Sequence, residues 1–74
     1  MLKANKLCIA VYRNGRRIGY VKSMAYKKNT YQVTENRDEA KGYANQERAF
    51  GDIDALVTMD IIQHNCAISA FSVE

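Results

Sequence analysis

A carboxylate, an imidazole and a thiol fall close together near the end of this 74-residue chain: His64, its single histidine, follows Asp60 by four residues and precedes Cys66 by two. Such a trio could ligate a metal or set a base beside a thiol nucleophile. The spacing matches no closed metal site, however. A histidine near a helix end, four residues after an aspartate, has a structural role through the helix dipole and an i, i+4 pair. Asp52-Ile-Asp54 offers paired carboxylates to a hard cation. On a helix, residues two apart point about 200° from each other, so these acids diverge and read as a solvated acidic face. Ser69 and Ser72 lack an acid and base pattern around them, and there is no glycine-rich phosphate loop. No catalytic residue, metal site or cofactor is therefore expected, and the chain does not read as an enzyme.

Binding chemistry is better represented. Arg13-Asn-Gly-Arg16-Arg17 places three guanidiniums around a turn, where they can reach phosphates or carboxylates bidentately. Tyr12 is expected across from Arg17, an aromatic and guanidinium pair suited to stacking on bases. Lys27 and Lys28 make a second basic turn. These six residues are the candidate contacts to a protein, nucleoprotein or nucleic-acid partner. The two turns fall at opposite ends of the expected sheet, which favours an extended contact over one compact patch. Ala55, Met59 and Ile62 form a narrow apolar stripe at i, i+4, i+7 that one-sided packing cannot also bury: either the helix ends early, or these three are the candidate contact for a homodimer or another adaptable protein surface.

The net charge of +3 hides a strong asymmetry along the chain. Residues 1–34 carry eight cations (Lys3, Lys6, Arg13, Arg16, Arg17, Lys22, Lys27, Lys28) and no acid, whereas residues 35–74 carry eight acids against Arg37, Lys41 and Arg48. The halves thus amount to +8 and −5.

The elements that position these groups are legible from local chemistry. Leu7 to Tyr12 is rich in β-formers and runs into Asn14-Gly15, the pair a type I′ hairpin turn requires. That turn predicts the pairs Val11 with Ile18, Ile9 with Tyr20 and Leu7 with Lys22. A second turn centred on Lys28-Asn29 predicts Tyr26 with Tyr31, Met24 with Val33 and Lys22 with Glu35. One face then carries Leu7, Ile9, Val11, Ile18, Tyr20, Met24, Tyr26, Tyr31 and Val33. The other carries Cys8, Ala10, Gly19, Val21 and Ser23. Asn36-Arg-Asp-Glu39 has capping-box spacing, with Gly42 closing a single helical turn, and a short edge strand is expected around Tyr43. Asn45 caps a long helix ending near His64 and Asn65. On it Phe50, Ile53, Val57 and Ile61 fall within an arc of about 80° that should lie on the sheet, flanked by Ala49 and Leu56. Cys66 to Val73 reads as a last strand beside the first. The expectation is an α+β fold of order βββ-α-β in one domain, residues 1–74: a three-stranded antiparallel meander, a short helical turn, one amphipathic helix on one sheet face and a C-terminal strand.

So short a chain supports one core of limited stability, for which self-association is the expected helper. Two cysteines are too few for a disulfide-stapled fold, so Cys8 and Cys66 read as reduced, buried thiols. The apolar run Leu7 to Tyr12 is too short for a signal segment or a membrane span, which makes a cytoplasmic location the default and a membrane partner unexpected.

The run Tyr31-x-Val-Thr34, Asp38-x-Ala40-x-x-Tyr43, then Ala49 and Ile53 resembles a pattern in small uncharacterised proteins of bacteriophages and other mobile elements. The resemblance covers the middle third of the chain and transfers no functional residue. It implies a small non-enzymatic effector that binds and occludes a host factor; some anti-CRISPR proteins have this size and class.

Overall fold

Asn14 and Gly15, with φ of 55° and 76°, turn the chain between β1 (Ile9–Arg13) and β2 (Arg16–Ala25) as the type I′ geometry demands. The computed structural model describes residues 7–74, so Lys3 and Lys6 lie outside the described residues. A four-residue turn, Tyr26 to Asn29, closed by Lys28 N–H on the Ala25 carbonyl at 3.1 Å, leads to β3 (Thr30–Thr34). A 3-10 turn (Arg37–Glu39) follows, then α1 (Gln46–His64) and β4 (Ser69–Val73). The strands form one antiparallel sheet in the order β3-β2-β1-β4, so β4 does lie beside β1.

Two β-bulges correct the expected register. Val11 pairs with Gly19 and Tyr12 with Arg17, leaving Ile18 as the extra residue; Val21 pairs with Val33 and Ser23 with Gln32, leaving Lys22. A one-residue slip exchanges sheet faces. Tyr20 therefore joins Ala10 and Tyr12 on the back of the sheet, and Val21 moves into the core, the reverse of the expectation for both. The second bulge restores Met24 to the core side, now opposite Tyr31. Tyr26 belongs to the turn and is exposed. Ile9, Ile18 and Val33 still meet in one core layer, as expected.

Local caps match the sequence closely. The Asn36 side chain accepts from Asp38 N–H at 2.9 Å, but the short turn ends at Ala40, not Gly42, because Ala40 N–H already bonds the Arg37 carbonyl. Tyr43 makes an isolated bridge with Leu7. The Asn45 side chain accepts from Arg48 N–H at 3.0 Å, and Asn65 closes α1 with φ 64°. Asn45→Ala is expected to cost about 1 kcal/mol, read as a lower midpoint in urea with an unchanged slope.

The helix is rotated from its expected seating. Ala49, Leu56, Met59 and Asp60 are buried, while Phe50, Val57 and Ile61 are 53 %, 41 % and 45 % exposed. Ala49, Asp52, Leu56, Met59, Asp60 and Gln63 fall within an arc of about 100° at 100° per residue. Three of these six are polar, and each has a partner on the body of the protein. Gln63 Oε1 accepts from Tyr31 N–H, Asp60 takes the Ile68 and Ser69 amides, and Asp52 takes Tyr43. Asp60 is buried and must be matched, and Asp52 and Gln63 at the edges of the contact add bonds to the same side, so these anchors decide the rotation and the small or flexible side chains between them fill the interface.

Candidate interaction surface

The anchors are best seen at Asp60, which is 1 % exposed. Its Oδ1 accepts from Tyr31 Oη at 2.7 Å, and its Oδ2 accepts from the amides of Ile68 at 2.9 Å and Ser69 at 3.1 Å. Burial pushes its pKa up, but these hydrogen bonds outweigh burial and hold it below the ordinary carboxylate value. Around it, Arg13 Nε donates to Ser69 Oγ at 2.9 Å, and Arg13 Nη2 lies 3.2 Å from His64 Nε2. The network ties β1, β3, α1 and β4 together. Cys66 stands outside it and is exposed, contrary to the buried thiol expected, whereas Cys8 is buried. The sequence placed His64 beside Asp60 correctly but could not show Tyr31 and Ser69, which come from other strands.

Asp52 is likewise engaged, not solvated as expected. It accepts from Tyr43 Oη, from Tyr26 Oη at 2.9 Å and from Lys41 Nζ at 3.1 Å. Burial opposes its ionisation, but the Tyr43, Lys41 and Tyr26 bonds prevail and lower its pKa, while burial and then Asp52 raise that of Tyr43. Asp54 is exposed, so the two acids diverge as helical geometry requires. Among the described residues no three His, Cys, Asp or Glu side chains converge as a metal site would need.

The basic candidates are dispersed. Tyr12 does pair with Arg17, on the back of the sheet, but both are bound to Glu74: Tyr12 Oη at 2.7 Å and Arg17 Nη1 at 3.0 Å. Arg17 also stacks over Tyr20, its Cζ 5.4 Å from the ring centroid. Arg13 is drawn into the Asp60 network on the opposite face. Arg16, Lys27 and Lys28 remain exposed, at the two ends of β2. The charge asymmetry of the sequence is thus partly internal complementarity: Arg17 of the basic half meets Glu74 of the acidic half, and Lys22 meets Glu39 at 3.9 Å.

The apolar candidates change places. Met59 is 2 % exposed and Ala55 packs against the core, so neither can form the expected oligomer contact; of that stripe Ile62 alone is exposed. Burial of Met59 follows from the polar anchors, which turn its side of the helix inward. Of the stripe assigned to the core, Ile53 does pack against it, as do the flanking Ala49 and Leu56, but Phe50, Val57 and Ile61 instead lie open on the helix within an arc of about 40°. Glu47 and Asp54, both exposed, border it on one side. Three large side chains at i, i+7 and i+11 are the spacing by which a helix enters an apolar groove.

No described helix is long and apolar enough to cross a membrane. Compared with protein-family models, with curated proteins and with solved structures, the chain matches none.

Proposed function

We propose that this chain is a small, non-enzymatic interaction protein of the cytosol that binds and occludes a surface of a larger protein or nucleoprotein, with α1 as its contact element. One observation carries the reading: Phe50, Val57 and Ile61 are exposed together on one helix face, while a different face of the same helix does the packing. Exposed large apolar groups aligned in this way mark contact sites on small soluble proteins. Their border defines the occupant. Glu47 and Asp54 beside the stripe favour an apolar groove with a Lys or Arg rim. A second copy of α1 suits it less, because antiparallel self-pairing sets Asp54 against the partner copy's Val57 and brings like charges together. The resemblance to small phage and mobile-element proteins supports a host factor as the target, with anti-CRISPR-like inhibition of a nucleoprotein as one such setting.

The test is affinity capture from a bacterial lysate followed by titration of the purified partner. Phe50→Glu and Val57→Glu are expected to weaken binding at least about 100-fold, as for truncation of a contact hot spot, with an unchanged circular dichroism spectrum. Capture that is indifferent to both substitutions but is lost on changing Arg16, Lys27 and Lys28 to Ala, and that weakens steeply with salt, would instead assign the chain to nucleic acid.

A further inference from the structure

Among the described residues the sheet ends in β3 on one side and β4 on the other, and the two edges are not alike. On β3 the outward Tyr31 N–H is capped by Gln63 Oε1 at 3.1 Å, and Lys27, Lys28 and Glu35 flank the strand. On β4 the run Cys66-Ala-Ile-Ser-Ala-Phe-Ser-Val73 contains no charge and no proline, its flanking Glu74 is held by Tyr12 and Arg17, and its pairing with β1 has no bulge. Among the described residues no strand covers its outer side. Edge strands normally carry a lysine, a proline or a bulge that prevents further pairing.

The hydrogen-bond phase of β4 shows which of its groups are open. Cys8 and Glu74 exchange both backbone hydrogen bonds, each 2.8 Å. In an antiparallel ladder bonded and non-bonded pairs alternate, so Ser72 and Ala70 direct their backbone groups to β1, and Val73, Phe71 and Ser69 direct theirs outward. The Ser69 N–H is already taken by Asp60. The open donors are therefore Phe71 and Val73, placed symmetrically about Ser72.

We propose that β4 is a self-association edge: two copies pair β4 to β4 antiparallel about a two-fold axis at Ser72, joining their sheets into one of eight strands. In this register Phe71 and the partner copy's Val73 exchange both backbone bonds, and the reciprocal pair does the same. Asp60 fixes the register from within, since a pairing centred on Phe71 would need the Ser69 N–H that Asp60 holds. No charge is brought against its own copy, and Ser72 and Ala70 are small enough for the close approach. The edge is distinct from the Phe50, Val57 and Ile61 stripe, so a dimer would present that stripe twice.

Sedimentation equilibrium tests the state and a cysteine pair tests the register. The protein is expected to dimerise with a Kd of about 100 µM or tighter, the weak limit lying two tenfold steps above the micromolar end of standard-sized interfaces. In a Cys66→Ser background, Ser72→Cys should oxidise to a covalent dimer, because facing residues of a non-bonded pair lie within disulfide reach. Ala70→Cys should not, since its two copies would be about 13 Å apart along the strands. Ser72→Lys should abolish the dimer and Phe50→Glu should leave it intact, both with native circular dichroism. A monomer up to about 1 mM, far above such a Kd, would overturn the proposal and leave the edge to an unrelated extended peptide at most. Equal cross-linking of the two cysteine variants would overturn it too, as would a dimer lost in Phe50→Glu and kept in Ser72→Lys.

Discussion

Asp60→Ala is expected to leave the protein largely unfolded at room temperature. The substitution removes the Oδ2 that the Ile68 and Ser69 N–H groups share and the Oδ1 that accepts from Tyr31 Oη. Orphaned donors cost roughly 1–3 kcal/mol each, and because Ile68 is partly exposed and Tyr31 Oη keeps Ser69 Oγ as a partner, the three together should cost about 3–5 kcal/mol, near the low end of their sum. A core of this size rarely supplies more than roughly 3–5 kcal/mol. The fall in Tm should reach at least about 15 °C. Asp60→Asn separates the acceptor from the charge. Its amide oxygen can still serve the two backbone donors while Tyr31 Oη reverses and accepts, so about 1–2 kcal/mol should be lost.

The same carboxylate gives the protein an acid limit. Asp60 and Asp52 are both held below the ordinary value of 3.8, so the unfolded chain binds protons that the native state refuses. Their stabilisation is therefore fully present above that value and is lost as the pH falls below it. Urea midpoints should stay level on this account from neutral pH to about 5 and fall steeply below 4. Asp60→Asn should flatten that fall without removing it, because Asp52 still titrates.

What the sequence disclosed and what it concealed divide along the range of the interactions involved. Asn14-Gly15, Asn36, Asn45 and Asn65 act on backbone within a few residues, and each does what its chemistry predicts. Strand order also followed, since a β4 beside β1 completes a core that the meander leaves open. The register did not, because alternation looks the same one residue out of phase, and the bulges at Ile18 and Lys22 shift the phase twice. A signal was available in Gly19, since a glycine inside a strand often marks a bulge or a close backbone approach.

The seating of the helix was hidden for a different reason. Its apolar residues form two stripes, and hydrophobic periodicity alone selects the larger, that of Phe50, Ile53, Val57 and Ile61, of which only Ile53 packs inward. The deciding groups are polar, Asp52, Asp60 and Gln63, and their partners Tyr43, Tyr31, Ile68 and Ser69 become visible only when the chain has folded. The same circumstance displaced the candidate interaction surface. A helix positioned by polar anchors is free to keep its most apolar stripe outside, which selection for packing alone would have buried.

Gly19 offers the sharpest test of the strand register. A Cβ there would lie 2.5 Å from the Thr34 carbonyl oxygen and 2.8 Å from Val33 Cγ1, at a φ of +157°. The first obstacle is backbone, so relief requires β3 to move away from β2 beside the Val21 to Val33 pair. Gly19→Ala should therefore cost roughly 2–4 kcal/mol. Gly15→Ala is the control, because its φ of +76° is unfavourable to a side chain but nothing lies within 4 Å of the new Cβ. That change should cost about 1 kcal/mol. Urea unfolding of the two variants measures the difference directly. In the unbulged register, with Val11 opposite Ile18, Gly19 would fall on the other face of the sheet with ordinary extended backbone, and its replacement would cost less than that of Gly15. A clear excess at Gly19 therefore establishes the bulge, and with it the assignment of Val21 to the core and of Tyr20 to the back of the sheet.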